Sequence, residues 1–592
     1  MPSLPERRLI EDLRVRYQDS DDLPAPLALG VADVHAIPYE SYQLALTLGQ
    51  IDTTFNDGST RVTSAILLEG GYVQLPDEAG WWIPSGRQIF DAAKFFLPTS
   101  VIDPWGTVST VEYDDYHLLV ERTEDALGNE VVVTNDYRVL SPVMITDPNG
   151  NRGAVQLVAL GMVIATALMG KLGSPDGDTL DDPTTTLEID LFRYMNTGKP
   201  GVIHARARET HGDPNTRWQE SYTYSDGSGR EIMRKVQAPP GLAPLLDEQG
   251  HPVLGLDGKP EMATATPRWG GNGRTVVDNK GNPIKQYEPY FSSTFEFEDD
   301  EVLVHWGVTP VLRYDPLGRL VRTDFPDGTC ARVEFSPWSQ TSWDANDTVL
   351  DEGNLWFAAR QPGATPTPSA ADQRAATLAA AHAGTPSAVH VDPLGRSVVS
   401  VADLGGGTKL YTTSTLDLEG NPRIITDARG NDCMVHTFDV AGRKVHQHSV
   451  DAGPRWMLSD VLGSPLRGWD SRGHTLRTTY DVLRRPTGLW VQQGIDPEVL
   501  AERTVYGEGV PSAATLNLRG KVYQQFDGAG LVTSDGFDFK GNLLGSTRTL
   551  AVDYQNQLDW AATPAAALEV ETFTSAATYD ALNRPLSTIK SA

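Results

Sequence analysis

The chain has 592 residues, of which 40% are hydrophobic and 21% are charged, and its formal net charge is −29. This length is too great for one ordinary hydrophobic core, so the sequence predicts either several domains or a repeat architecture. The composition is typical of a folded protein, and the acidic surplus argues against nucleic-acid binding, which requires clustered Lys and Arg.

The first part of the chain offers no targeting or membrane signal. Its start, MPSLPERRLIEDL, lacks the apolar core of a signal peptide. The longest apolar run, VQLVALGMVIATALM at 155–169, is shorter than a membrane span and contains Gln156 and Gly161. This run predicts a β-hairpin buried on both faces and no membrane segment.

The middle of the chain changes composition twice. Residues 172–267 contain acidic, Gly-rich and Pro-rich stretches, which predict loops and insertions between hairpins such as the one at 218–224. The stretch AADQRAATLAAAHA at 370–383 is rich in helix formers and predicts a short helix. Cys330 and Cys433 are too few for a disulfide framework, and both are predicted to lie in strands.

A short phrase recurs along the second half of the chain: an aromatic or apolar residue, Asp, two variable residues, Gly and a polar residue. Aspartates of this phrase follow one another at about ten to twelve residues in the region 417–481, with one degenerate copy near 450. The residues assigned to this structural repeat motif are Tyr314, Asp315, Gly318, Arg319, Asp392, Gly395, Arg396, Asp417, Gly420, Phe438, Asp439, Gly442, Arg443, Trp469, Asp470, Gly473, Tyr480, Asp481, Tyr579 and Asp580.

The phrase has the chemistry of a β-turn between two strands. An Asp carboxylate can accept hydrogen bonds from backbone N–H groups two residues on, and Gly supplies the positive φ that closes the turn. Alternating residues follow each turn, as strands require. Because a single hairpin cannot bury its own apolar face, the units are expected to pair edge to edge into one long coiled sheet. The predicted fold class is all-β, with minor helical insertions.

The repeated phrase resembles the RHS or YD repeat, and longer stretches resemble one family that uses it. IPYESYQLAL at 37–46, GWWIPSGR at 80–87, TEDALGNEVVVTNDYRVLSPVMITDPNGN at 123–151 and YDPLGRLVRTDFPDGT at 314–329 are similar to the B component of bacterial ABC-type insecticidal toxin complexes (Tc toxins). The resemblance divides the chain into a divergent strand-rich part of the shell (1–171), a loop-rich strand segment (172–300) and the repeat shell (301–592), with the helical insertion near 370–383.

The resemblance implies a structural role. In that family the B and C components together form a hollow β-sheet shell that encloses the cytotoxic end of the C component. Contact with the pore-forming A component runs through a β-propeller, which this chain does not show. The implied protein is an encapsulating shell component that is secreted within a toxin complex without a recognisable signal peptide, and its implied partner is a C component.

No catalytic residue, cofactor or metal is predicted, and the chain is interpreted as a non-enzyme. The repeated aspartates are interpreted as turn residues, because an active site needs one constellation rather than a dozen copies. His446 and His448 can share one face of a strand, but no third ligand stands at a standard spacing. Two alternative functions stay open: the core of a self-processing RHS polymorphic toxin, and a YD-repeat adhesion or surface protein.

Overall fold

A computed structural model describes residues 9–591 except 21, 22, 24, 248, 249, 273, 274, 287, 288, 299–308 and 564. Within these residues the architecture is dominated by antiparallel strands, which form two long sheets and two small ones. The all-β prediction is therefore confirmed. The expected single long sheet is instead two, since strands of the first half of the chain pair among themselves before the repeat region begins.

The N-terminal unit is a three-stranded sheet with short helices. Its elements are β1 Leu13–Asp19, β2 Ala36–Leu46, α1 Leu48–Gln50, a π-helical turn Ile51–Phe55, α2 Ser64–Glu69 and β3 Trp81–Pro84. Thr47 and Gln50 form a capping box at the start of α1, and Thr63 caps α2 through the N–H of Ile66. These caps stabilise the short helical segment between β2 and β3, which contacts the repeat region.

The first long sheet, here called sheet I, has fourteen strands in the order β21-β18-β15-β14 and then descending to β4. The strands are β4 Arg87–Asp91, β5 Leu97–Ile102, β6 Val108–Tyr113, β7 Val120–Glu124, β8 Glu130–Asp136, β9 Ser141–Thr146, β10 Arg152–Leu157, β11 Val163–Met169, β12 Thr185–Asp190, β13 Gly201–Arg208, β14 Trp218–Ser225, β15 Glu231–Ala238, β18 Arg268–Gly271 and β21 Tyr290–Ser292. A separate small sheet pairs β16 Gly241–Pro244 with β17 Met262–Ala265.

The apolar run at 155–169 does form a hairpin, made by β10 and β11. It is not buried on both faces: Ala165 and Ala167 are buried, whereas Gln156 and Leu168 are exposed. The expectation of two buried faces was wrong because one face of sheet I at this point carries no covering layer. The boundary proposed at 171/172 falls between β11 and β12, which pair with each other, and the boundary proposed at 300/301 lies outside the described residues.

The second long sheet, here called sheet II, has twenty-two strands, which follow the chain order from β19 to β41 without β21. The strands are β19 Thr275–Val277, β20 Pro283–Gln286, β22 Val311–Tyr314, β23 Leu320–Asp324, β24 Cys330–Phe335, β25 Ser339–Trp343, β26 Ser387–Val391, β27 Ser397–Asp403, β28 Lys409–Leu416, β29 Pro422–Thr426, β30 Asp432–Phe438, β31 Lys444–Ser449, β32 Gly453–Ser459, β33 Pro465–Asp470, β34 His474–Tyr480, β35 Pro486–Gln493, β36 Val499–Tyr506, β37 Val522–Asp527, β38 Gly530–Phe537, β39 Leu543–Ala551, β40 Leu568–Tyr579 and β41 Pro585–Lys590.

Short helices interrupt this pattern. Helix α3 Arg193–Thr197 lies in the connection between β12 and β13 of sheet I. Helices α4 Leu355–Ala358 and α5 Ala370–Ala380 lie between β25 and β26 of sheet II. Ser369 caps α5 and forms a capping box with Asp372, so the helix begins where its sequence provides the cap. Both cysteines lie in strands and are unpaired. Among the described residues, none of the helices has the length and apolar character required to cross a bilayer.

Candidate functional site: the row of aspartate turns

The turn at Asp315 shows the local geometry of the repeat. One carboxylate oxygen of Asp315 accepts hydrogen bonds from the backbone N–H groups of Leu317 and Arg319, both at 2.9 Å. The other oxygen accepts from the Nε of Arg319 at 2.7 Å. Gly318 has φ +80° and donates its N–H to the Asp315 carbonyl. These bonds lower the pKa of Asp315, with the backbone N–H of Arg319 as the largest cause.

The same geometry recurs at other turns, and in these only three residue types occupy the sixth position of the phrase, four residues after the aspartate. The side chain there donates to the second carboxylate oxygen, and it is an Arg, an Asn or a His. Such pairs are Asp392–Arg396, Asp417–Asn421, Asp427–Asn431, Asp470–His474, Asp481–Arg485, Asp538–Asn542 and Asp580–Arg584. Where the phrase lacks its glycine, Arg484 and Asn583 take the left-handed conformation, with φ +61° and +62°.

At two turns, the tyrosine that precedes Asp connects the turn to the previous one on the same edge. The Tyr480 hydroxyl donates to the carbonyl of Pro465 at 2.5 Å, and the Tyr314 hydroxyl donates to that of Pro283 at 2.8 Å. The proline in each case is the first residue of a strand, five positions after the preceding turn aspartate. Proline is well suited to this place, since it has no N–H to donate to the ladder.

Basic side chains make the complementary connection to the following turn. Arg396 donates to the carbonyl of Leu418 at 3.2 Å, and Arg443 donates to that of Asp460 at 2.7 Å. Lys540 donates to the carbonyl of Asp580 at 2.6 Å. Successive turns are therefore joined in both directions along the sheet edge.

The turns of sheet II fall on two opposite edges, because successive connections in an antiparallel meander alternate. One edge, here called row A, carries the phrases that begin at residues 314, 391, 416, 438, 480, 537 and 579, together with the turn at Asp460 and the connection at 507–521. The other edge carries the turns at Asp427 and Asp470. The structure thus separates Trp469, Asp470 and Gly473 from the other residues of the predicted motif.

The second half of row A contacts the N-terminal unit. The backbone N–H of Val440 donates to the carbonyl of Ala45, and that of Val461 donates to the carbonyl of Gly70. Tyr72 is buried there, and its hydroxyl donates to the carbonyl of Ser459 at 2.9 Å. Phe55, Leu67 and Trp81 join Val445, Leu458, Val461 and Leu466 in one apolar core.

Further turns of row A contact sheet I. The guanidinium of Arg484 lies 3.8 Å from the centre of the Trp105 ring. Asn151 donates to the side chain of Asn517 at 3.0 Å, and the N–H of Ala581 donates to the carbonyl of Glu209 at 2.9 Å. We call this whole contact the seam. One side of it is row A from residue 438 to residue 584. The other side consists of residues 45–72 and the sheet I turns at 103–107, 147–151, 170–184 and 209–217.

The seam changes the environment of the repeated aspartates. Asp439, Asp460 and Asp580 are buried, whereas Asp315, Asp392 and Asp417 are only partly covered. Burial raises the pKa of Asp439 to about 6, although the N–H of Arg443 opposes the effect. The Arg443 guanidinium does not reach the Asp439 carboxylate, because it donates to the carbonyls of Asp460 and Val461 instead.

The turn aspartates and the neighbouring histidines are engaged in contacts within the sheet. At Asp315 and Asp392, both carboxylate oxygens accept hydrogen bonds from groups of their own turn. His446 packs against Trp456, with 5.1 Å between ring centroids. In the part of the chain that the structure covers, no three His, Cys, Asp or Glu side chains are grouped so that they could hold a metal ion.

The fold matches solved toxin-complex structures over almost the whole chain. A crystal structure of TcdB2-TccC3 aligns with a TM-score of 0.83 at 20% identity, covering 98% of this chain and 29% of that chain. The chain has the fold of a Tc-toxin RHS shell. A structure of the Photorhabdus luminescens Tc holotoxin pore aligns with a TM-score of 0.81 at 18% identity, over 98% of this chain and 30% of that one.

The sequence comparisons are narrower. Toxin subunit YenC2 of Yersinia entomophaga is 27% identical over 237 residues, which is 35% of this chain and 24% of that protein. No protein-family model matches the chain. The chain thus spans about a quarter of the curated relative and about 30% of the solved chains. The resemblance to RHS-repeat Tc-toxin shell proteins that the sequence predicts is confirmed at the level of the fold.

Sequence reasoning identified the turns but missed the seam. Trp105, Tyr72 and Glu209 have no motif of their own, and their partners lie more than 350 residues away along the chain. One signal was present: in the turn at Asp460, the sixth position of the phrase is Ser464, so the aspartate lacks a local basic or amide partner. Its carboxylate is paired instead with Arg484, from the next turn of row A.

Proposed function

We propose that this chain forms part of the wall of a hollow shell that encloses and protects a polypeptide within a bacterial toxin complex. The observation that carries the proposal is the seam, which holds two sheets of fourteen and twenty-two strands side by side. A wall needs sheets joined at their edges without gaps, and the seam provides this through buried apolar residues and backbone hydrogen bonds.

The matched structures support the same role. They contain a TcdB2-TccC3 chain, and this chain aligns with about 30% of it. On the proposed function, the B side of the shell is formed here, a C component completes it, and the pore-forming A component is reached through a propeller outside this segment. The protein acts outside the cell that makes it and has no catalytic role.

Protease protection tests the proposal directly. The tagged full chain is purified from the cells that produce it, and the complex is treated with proteinase K before and after opening in urea. We expect a co-purifying polypeptide to resist cleavage in the intact complex and to be degraded once the complex is opened. Equal degradation in both states would contradict the proposal.

A matched pair of variants in one turn connects the protection to the seam. Val461 is buried in the seam, whereas the neighbouring Leu462 is 59% exposed. Val461→Asp places a charge in the apolar core and should abolish protection, while Leu462→Asp should retain it. If both variants protect equally, the seam does not maintain the wall.

A further inference from the structure

The edge of sheet I opposite the seam carries a second row of turns with an unusual composition. These are the turns at 92–96, 114–119, 137–140, 158–162 and 191–200, which alternate with the turns of the seam. We call the following aromatic residues of this edge the rim: Phe95, Phe96, Tyr116, Tyr137, Phe192 and Tyr194. Their side chains are between 40% and 77% exposed. Large aromatic side chains gathered on one exposed edge are typical of a protein interface.

Part of the rim is a continuous and ordered surface. Tyr116 and Tyr137 pack edge to face with 5.6 Å between ring centroids, and Phe95 packs in the same way on His117 at 6.4 Å. The Tyr137 hydroxyl donates to Asp114 at 2.6 Å, which connects two successive turns. This part of the surface is therefore preorganised before a partner binds.

Backbone conformation makes the rim similar to the seam. The described residues include eight non-glycine residues with positive φ. Four of them, Phe95, Phe96, His117 and Leu140, lie in rim turns. Three others, Arg484, Asn517 and Asn583, lie in turns of the seam. Such conformations are costly for large side chains and are concentrated at functional contacts. Seven of the eight thus lie either in rim turns of sheet I or in the sheet II turns of the seam, where contact with a second surface is observed.

The charges near the rim are largely engaged in local pairs. Arg138 pairs with Asp136 at 2.6 Å, and Arg193 pairs with Glu296 at 2.6 Å. The rim is thus not dominated by free charge, although the whole chain has a net charge of −29. An anionic membrane surface or a nucleic acid would require basic side chains here. The composition favours an apolar protein surface as the partner.

The contacts in the seam indicate what kind of protein surface could bind the rim. There, the edge turns of one sheet bury small apolar tips, Val440, Val461 and Ala581, against the second surface. In addition, about 70% of each matched toxin-complex chain lies beyond the part that aligns with this one. We propose that the rim is the docking edge for a row of turns of a second RHS-type wall polypeptide. This inference rests on the proposed function and names the surface through which the shell is extended.

Site-specific photo-crosslinking in the intact complex tests the inference. Benzoylphenylalanine replaces Tyr116 or Tyr194 in the full chain, and a control replaces Tyr411, which is 49% exposed on β28 of sheet II. Crosslinked peptides are then sequenced. We expect both rim positions to crosslink a different polypeptide that contains aromatic–Asp–x–x–Gly repeats, with at least tenfold less product from Tyr411. A lipid, a second copy of this chain, a polypeptide without the repeat, or no product from the rim would overturn the inference.

A pair of variants separates this inference from the proposed function. Tyr116→Asp with Tyr194→Asp should reduce co-purification of the repeat polypeptide at least tenfold, with an unchanged circular dichroism spectrum, whereas Tyr411→Asp should not. If the cargo is protected in the wild-type complex but the rim forms no crosslink, only the rim assignment fails. If the rim crosslinks the repeat polypeptide but nothing is protected from protease, only the enclosing function fails.

Discussion

The hydroxyl of Tyr480 donates a hydrogen bond to the carbonyl oxygen of Pro465, 2.5 Å away and fifteen residues earlier in the chain. Tyr314 bonds to Pro283 in the same way at 2.8 Å, and Tyr506, which precedes a glycine, bonds to Pro486 at 3.2 Å. The tyrosine directly before the aspartate therefore connects neighbouring turns at residues 314 and 480.

Replacing Tyr480 by Phe tests the connector. The ring packing is retained and only the hydroxyl is lost, so we expect the free energy of unfolding to fall by about 0.5–1.5 kcal/mol. The change is measured as a shift of the urea midpoint of the full chain. Tyr579→Phe provides the control, since Tyr579 holds the same place in the phrase and the structure gives its hydroxyl no hydrogen bond. An equal shift in both variants would show that the bond to Pro465 contributes nothing.

The part of the fold that the sequence predicts is the part encoded locally. The Asp392 carboxylate bonds to groups two and four residues later, and the capping box of α5 spans only Ser369 to Asp372. A reader of the sequence sees all these groups within one short window. Turns, strands and the helix follow from them.

The seam could not be predicted in this way, because its partners are distant in sequence and carry no pattern. Val440 contacts Ala45, and Asn517 contacts Asn151. The division of the turns between two edges could, however, be predicted from the sequence. Turns of an antiparallel meander alternate between the edges, so phrases about ten residues apart must lie on opposite edges. Burial of Asp439 but not of Asp392 depends on what covers the edge, which the phrase itself does not encode.

Asp439→Asn should become progressively more stabilising relative to the wild type as the pH rises from 4 to 7. The folded pKa of Asp439 is raised to about 6, against about 3.9 in an unfolded chain. A raised acid pKa gives a stabilising contribution that is complete below about pH 4 and lost as the pH rises through 6. The amide cannot ionise, so its advantage over the wild type should grow by up to about 3 kcal/mol. Urea unfolding at several pH values measures this difference.

Asp392→Asn is the control for this prediction, because the pKa of Asp392 is shifted in the opposite direction. Hydrogen bonds from Arg396 lower the pKa of Asp392 in the folded chain. Its stabilising contribution is present above the unfolded pKa and is lost as the pH falls. Asp392→Asn should therefore become less stable relative to the wild type as the pH rises. Parallel pH profiles for the two variants would contradict the difference in burial.

Arg484→Lys should destabilise the chain by about 1–2 kcal/mol although the charge is kept. The Arg484 guanidinium lies between the rings of Trp105 and Tyr480, at 3.8 and 4.5 Å from their centroids, and it pairs with the buried Asp460. A lysine cannot stack a planar group on both rings. Arg472→Lys is the matched control, since Arg472 is an exposed turn residue on the other edge of sheet II. If thermal unfolding shifts equally in both, the stacking does not contribute.

Gly71→Ala should open the seam locally, whereas Gly106→Ala should not. Both glycines flank Trp105 and have positive φ, +82° and +87°, so alanine costs each about 1–2 kcal/mol. A Cβ at Gly106 meets no atom within 4 Å, but one at Gly71 would lie 2.9 Å from both Trp105 and Val461.

Because Trp105 and Val461 must move away from the new Cβ, Gly71→Ala should lower the free energy of unfolding by about 1–3 kcal/mol more than Gly106→Ala. It should also be visible at one amide, because the N–H of Val461 donates to the carbonyl of Gly70 at 2.9 Å, directly beside the substituted position. Hydrogen exchange of the Val461 amide should accelerate in Gly71→Ala and stay at the wild-type rate in Gly106→Ala. Unchanged exchange in both variants, with equal losses of stability, would mean that Trp105 and Val461 can move apart without weakening the contact between the N-terminal unit and row A.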